Sequence, residues 1–288
     1  MTVDHAPPDI SPISIDKAPA LETVTPSSPA GSRRRSVPRW LRRTVGPLLL
    51  LASWQVLSAT GVLHRDILAS PGTIAKAAGD LIADGTLPAA IGISLQRVAV
   101  GLLLGGVIGV ALALISGLSR LGEDLVDATV QMLRTVPWVG LIPLFIIWLG
   151  IGEAPKIALI ALGVAFHLYL NVYAGIRGVD EQLIEAGQSL GLGRWGLVRH
   201  VVLPGALPGA MTGLRYSLAT SWLALVFGES INADAGIGFL MNQARDFLRT
   251  DVIVVCLVVY AFLGLLADVI VRTLERLLLQ WRPTFTGQ

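Results

Sequence analysis

Long apolar stretches, almost free of charge, alternate along this chain with shorter polar segments. Residues 44–63, 98–119 and 135–152 carry no charged side chain. Residues 157–176 carry only His167, 205–228 only Arg215, and 252–271 only Asp268. A helix needs about 20 apolar residues to cross the hydrocarbon core of a bilayer. In lipid the backbone must satisfy its own hydrogen bonds, so such stretches are helices or strands of a closed barrel. Nothing here alternates strictly in the way barrel strands do. The pattern therefore predicts an all-α, polytopic membrane protein with six transmembrane helices. Between the first two stretches, Ser70-Pro71-Gly72-Thr73 precedes Ile74, Ala77, Ala78, Leu81 and Ile82, which reads as a capped amphipathic helix lying on the membrane surface.

Residues 1–43 differ from everything after them. Prolines stand at 7, 8, 12, 19, 26 and 29, and the basic run Arg33, Arg34, Arg35, Arg39, Arg42, Arg43 ends where the first apolar stretch begins. This predicts a disordered basic tail, followed by a membrane domain over 44–284. The arginines also orient the chain. With the N-terminus inside, the inner segments hold the tail cluster together with Arg120, Arg134, Arg177, Arg194, Arg199, Arg272, Arg276 and Arg282. The outer segments hold Arg65, Lys76, Arg97, Lys156, Arg245 and Arg249. This bias predicts that both termini face the cytoplasm.

Composition agrees with a membrane chain: 53% of the 288 residues are hydrophobic and 15% charged, against about a quarter charged in soluble domains. A net charge of +2 gives no reason to expect nucleic acid as a partner, and the single cysteine excludes an intrachain disulfide. His5, His64, His167 and His200 lie far apart, so no metal site is expected. None of the lysines at 17, 76 and 156 follows a glycine, so the chain lacks a phosphate-cradling loop. If ATP is used, another polypeptide hydrolyses it. Gly101, Gly105 and Gly109, spaced at four, predict a close helix–helix contact. Pro137 and Pro143 flank Trp138 and predict a kink or hinge. His167, with Tyr169 and Asn171 nearby, is the best candidate for lining a path, and Arg134 precedes the third stretch on its inner side.

Two chemical readings compete over residues 185–204. Gly187-Gln188-Ser189-Leu190-Gly191 fits G-x-S-x-G, but a nucleophile elbow needs a strand-to-helix turn, and this segment has a helical pattern. The same residues form a longer signature: Glu185-Ala186-Gly187, three residues, Gly191, nine residues, Val201-Val202-Leu203-Pro204. This resembles the E-A-A-x3-G-x9-I-x-L-P loop of the integral-membrane permeases of bacterial ABC importers, with Gly187 for the second Ala and Val201 for Ile. Ser94-Leu95-Gln96-Arg97, Arg134-Thr135-Val136-Pro137, Gly213-Leu214-Arg215-Tyr216-Ser217, Glu229, Gly236-Ile237-Gly238 and Asn242-Gln243-Ala244-Arg245 are similar to the aliphatic-sulfonate branch of that family.

The resemblance implies a type I importer permease-like fold in the bacterial inner membrane. Its partners would be an ATP-binding subunit, an extracytoplasmic substrate-binding protein, membrane lipid and a second permease copy. This chain would need no cofactor, since ATP and Mg sit on the partner, and it would not be an enzyme. Glu185, Ala186, Gly187, Gly191, Trp195, Val201, Leu203 and Pro204 would form the ATPase-coupling loop. Arg134, Pro137, Trp138, His167 and Asn171 would line the translocation path. Taurine, nitrate or a pyrimidine precursor is the alternative cargo. A self-contained ion-coupled carrier is the competing class, but it would place carboxylates at midplane and show internal repeats; neither is evident.

Overall fold

The computed structural model describes residues 39–61 and 67–281, so most of the tail expected over 1–43 lies outside the described residues, as do His64, Arg65 and Arg282. The chain divides into two units, Met1–Pro47 and Leu48–Gln288. The first contributes the opening turns of α1 (Arg39–Ala59).

The second unit contains the rest of α1 and ten further helices. These are α2 (Pro71–Ala83), α3 (Thr86–Leu118), α4 (Arg120–Leu133), α5 (Trp138–Leu149), α6 (Glu153–Arg177), α7 (Glu181–Ser189), α8 (194–202), α9 (Leu203–Asn232), α10 (Ile237–Asp246) and α11 (Thr250–Leu278). All regular elements among the described residues are helical.

The centre of this unit is α6, clasped between α3 and α9. Both crossings are made by small residues. A Cβ at Gly105 would stand 2.2 Å from the Ala161 carbonyl oxygen, and one at Gly109 would stand 2.5 Å from that of Ala165. On the other side, a Cβ at Gly209 would meet the Asn171 carbonyl oxygen at 2.6 Å. Backbones approach this closely only where side chains are missing, and dispersion over the whole seam then holds the helices together. The four-residue glycine spacing thus does what it predicts. Leu159, Ile160, Val164 and Leu225 are fully enclosed in the resulting core.

A second core joins α2, α10 and α11, where Ala77, Leu81, Ile237, Leu240, Val252 and Val255 pack together. Ser70 caps α2 as expected, its Oγ accepting the Thr73 N–H at 3.2 Å. The apolar face of α2 is spent on this protein core through Ala77 and Leu81, while Ile82 stays exposed.

Length and apolarity single out only part of the six expected spans. Three helices, α3, α6 and α11, are long and apolar enough to cross a membrane, and α4 with α5 makes a fourth only if they count as one span bent by 85°. The third span, expected over 135–152, therefore does not exist as one straight helix. Pro137 closes off the segment after α4, a 3-10 turn follows over Trp138–Leu141, and the helix Ile142–Leu149 has eight residues, about 12 Å of rise. Conversely, α3 begins well before residue 98. The charge-free window stopped at Arg97, but that arginine is neutralised within the fold and the helix runs straight through it. In α9, 30 residues give about 45 Å of helix, with Pro208 inside it.

Candidate functional site

Three groups of polar side chains stand out from the apolar helices. The first lies at the end of the unit that carries α10. Arg97, 3% exposed, reaches from α3 to Glu229 on α9, 1% exposed, with Nη1 to Oε1 at 2.6 Å. Its Nε and Nη2 donate to both oxygens of Glu153 at the start of α6, at 2.5 and 2.7 Å. Lys156, also buried, donates to Glu153 at 3.1 Å.

Glu229 collects further donors: Ser94 Oγ at 2.7 Å, the Gly238 N–H at 2.7 Å and the Tyr260 hydroxyl at 3.3 Å. Arg97 Nη1 also donates to the Ala235 carbonyl, and Ser94 Oγ accepts the Ile237 N–H. The cluster thus ties α3, α6, α9 and α11 to the turn that starts α10. It also explains Gly236-Ile237-Gly238. At φ +112°, a Cβ on Gly236 would lie 2.4 Å from Glu229 Oε1, and one on Gly238 would lie 2.5 Å from Glu229 Cβ. Sequence reasoning counted Arg97 and Lys156 only as outer-loop charges. The signal available was the resemblance at Ser94–Arg97 and Glu229, which says nothing about the two segments meeting.

The second group lies near the middle of α6. Gly163 is the pivot: a Cβ there would sit 2.9 Å from Thr220 Cγ2 and 3.5 Å from the Trp138 ring. His167 Nδ1 donates back to the Gly163 carbonyl at 2.8 Å, in the tautomer that contact favours, which leaves Nε2 3.4 Å from Thr220 Oγ1. The Tyr216 ring stands 6.4 Å from the imidazole, and Asn171 Nδ2 donates to the His167 carbonyl at 2.8 Å.

Trp138, His167, Asn171 and Thr220 are half-buried and Tyr216 is exposed, so this face offers polar groups amid apolar helix surface. Of the expected path residues, Trp138, His167 and Asn171 share this region, and Pro137 leads into it. Arg134 is exposed at the end of α4 and its side chain has no partner among the described residues. Tyr169 does not belong here: it is 1% exposed and turns toward α4. Arg215 is engaged with Glu275 at 2.6 Å and Asp268 at 3.7 Å, which joins α9 to α11.

The third group is the 178–203 segment. Asp180 caps α7, accepting the Gln182 N–H at 2.9 Å. Gly191 turns the chain at φ +83°, as its place in the signature predicts. The second short helix opens as an α-turn over Arg194–Leu197, becomes a π-helix over Val198–Val202 and runs on into α9 at Leu203, whose next residue, Pro204, occupies the first turn. Pro204 therefore leaves the helix uninterrupted. It sits where a missing N–H costs nothing.

Gly187 is buried, and a Cβ there would meet Leu197 Cδ2 at 2.8 Å, so the departure from Ala lets α8 close onto α7. Glu185 and Ala186 are exposed, Val201 is half-buried, and Trp195 is 83% exposed alongside exposed Leu183 and Leu190. Ser189 is the last residue of α7 and donates to the Glu185 carbonyl at 3.0 Å. It sits on a helix rather than at a strand-to-helix elbow, so the hydrolase pattern has no structural basis. No group of His, Cys, Asp and Glu suited to a metal occurs among the described residues.

Comparison with known proteins adds three findings. Residues 105–280 match the family described as binding-protein-dependent transport system inner membrane component. The chain is 47% identical over 252 residues to the putative aliphatic sulfonates transport permease protein SsuC of Escherichia coli strain K12, covering 86% of this chain and 96% of that one. It is 39% identical to the protein of the same name from Bacillus subtilis strain 168, covering 86% and 90%. Among solved structures, a chain of an amino acid ABC transporter crystallised with histidines superposes with a TM-score of 0.59 at 15% identity, over 69% of this chain and 96% of that one. That likeness concerns the fold alone.

Proposed function

Since the chain belongs to the family of binding-protein-dependent transport system inner membrane components, we propose that it is the membrane-spanning permease of an ATP-driven importer of aliphatic sulfonates. In this reading six segments cross the membrane: α1, α3, the bent α4–α5 pair, α6, α9 and α11. Both termini and the 178–203 loop face the cytoplasm, as the arginine bias favours. The carrying observation is the loop itself. Leu183 and Trp195 project from short helices, and Leu190 from the turn between them, with little of their own chain to bury against. An apolar patch of that kind marks a docking site. The partner is a separate ATPase subunit, which holds ATP and Mg, and this chain makes and breaks no bond.

The face around His167 supports a path. An apolar surface on which α5, α6 and α9 together show an indole, an imidazole, a hydroxyl and a phenol needs water or a second subunit there, because polar groups in hydrocarbon are costly. Two copies meeting across this face enclose a channel in which the Tyr216 hydroxyl and the Trp138 indole N–H meet sulfonate oxygens. An extracytoplasmic binding protein delivers the anion at the α2–α10 end. The sulfonate assignment rests on the two relatives that carry that name, with taurine or nitrate as the alternative cargo.

Growth on an alkanesulfonate as sole sulfur source tests the assignment. A deletion strain without a redundant system is expected to stop growing on the sulfonate and to grow normally on sulfate. Undiminished growth on the sulfonate would refute the assignment.

A further inference from the structure

A second polar ladder sits between α4 and α6, apart from the His167 face and the Arg97 cluster. It begins where α3 turns into α4. Ser119 Oγ accepts the Gly122 N–H at 2.9 Å and donates to the Ile115 carbonyl, and a Cβ on Gly122 would lie 2.2 Å from that carbonyl oxygen. After this tight corner the helix widens into a π-turn over Glu123–Asp127. Such turns are rare and concentrate at functional positions.

The two carboxylates at the ends of the π-turn meet the hydroxyls of two α6 tyrosines one turn apart. Tyr169 donates to Asp127 Oδ1 at 2.8 Å, with the Ser116 hydroxyl 3.2 Å from its oxygen, and Tyr173 donates to Glu123 Oε1 at 2.8 Å. Arg177, the last residue of α6, pairs with the other oxygen of Glu123 and lies over the Tyr173 ring at 5.9 Å. The tyrosine rings stack, centroids 5.7 Å apart and 6° from parallel. One turn further along α4, Gln131 donates to Asp127 at 3.3 Å.

The location gives this ladder a task. Its lower end, Arg177, directly precedes the 178–203 loop. Its upper end, Asp127 with Gln131, lies on α4 shortly before the break at Pro137, beyond which Trp138 enters the His167 face. The α3–α6 and α6–α9 seams are closed by backbone contact through glycines and resist sliding. The α4 and α6 backbones instead stand apart, bridged by long side chains that end in exchangeable hydrogen bonds. A joint of that type has discrete alternative pairings, which a two-state element requires.

We propose that the ladder of Asp127–Tyr169 and Glu123–Tyr173–Arg177 is the positioning linkage that carries movement of the 178–203 loop to the bent α4–α5 pair. These residues touch neither substrate nor ATP. They set how much of each hydrolysis reaches the path. The inference rests on the reading of 178–203 as the ATPase-docking loop.

The test uses the complete transporter in proteoliposomes, with alkanesulfonate uptake and ATP hydrolysis measured together. Tyr169→Phe, Tyr173→Phe and the double variant keep the stacked rings and delete only the hydroxyls. The expected result is a normal yield of assembled complex, continued ATP hydrolysis, and a fall in uptake per ATP of about tenfold in the double variant, since each hydroxyl lost is a hydrogen bond to a charged acceptor. Each single variant should lie between it and the parent. An unchanged ratio of uptake to hydrolysis would overturn the proposal. So would failure of both single variants to assemble, which would make the ladder a structural brace. The parent transporter separates this from the functional reading: if it shows no ATP-driven uptake of the sulfonate, the assignment of function has failed rather than the ladder.

Discussion

Replacing Arg97 by methionine keeps most of the side-chain volume and removes the cation that compensates Glu229. In the parent, Arg97 makes four hydrogen bonds, two to Glu153, one to Glu229 and one to the Ala235 carbonyl. Glu153 is half-exposed and falls back on water and Lys156. Glu229 is 1% exposed and has no such recourse, although Ser94, Gly238 and Tyr260 still donate to it. Stranding one member of a buried ion pair costs about 3–5 kcal/mol. In a chain of this size, 1 kcal/mol moves the unfolding midpoint by roughly 2–4 °C, so Arg97→Met should lower it by on the order of 10 °C. Glu229→Gln should cost less, about 1–3 kcal/mol, because Arg97 keeps its bidentate contact with Glu153. The double variant buries no unpaired charge and should lie near Glu229→Gln, well short of the sum. Thermal unfolding of the detergent-purified protein reads all three. A midpoint for Arg97→Met within roughly 2–4 °C of the parent, or strictly additive effects, would refute the view that this buried pair anchors the α10 turn.

Gly105→Val would drive a side chain into the Ala161 backbone, and overpacking costs about 1–3 kcal/mol or more; a sharply reduced yield of folded protein is expected, while Gly46→Val, which meets open space, should be tolerated. Gly191→Val should weaken co-purification of the ATPase and reduce uptake. The cause is backbone strain alone: a Cβ at Gly191 meets nothing within 4 Å, so added bulk does not displace α8, and Gly191→Asn, which tolerates positive φ, should be milder. His167→Phe removes the ring nitrogen that accepts from Thr220 but keeps an aromatic ring; it should impair uptake while leaving the unfolding midpoint nearly unchanged, and equal loss in both would make His167 a structural residue.

The parts of this structure that obey local rules were legible beforehand. Glycine spacing announced the α3–α6 seam because each glycine acts through its own missing Cβ. The Ser70 cap and the turn at Gly191 follow from short-range backbone chemistry in the same way. The parts that depend on distant partners were not. A charge scan ends a span at Arg97, and only the meeting with Glu229, 132 residues on, allows the helix to continue. The prolines at 137 and 143 predicted a kink, but an 85° bend also requires α5 to be short, which apolarity alone cannot reveal. Nothing in Glu123–Asp127 marks a π-turn, and that Tyr169 turns away from His167 toward α4 could not be read beforehand because the chain alone does not say which face of α6 meets α4.

Vesicles containing this protein with its ATPase and binding protein provide the most direct test. ATP supplied only on the side of the 178–203 loop should drive accumulation of an alkanesulfonate delivered by the binding protein from the other side. Accumulation should disappear when the ATPase is omitted. Sulfonate accumulation that persists without the ATPase, or its absence from the fully assembled and ATP-hydrolysing complex, would contradict the account.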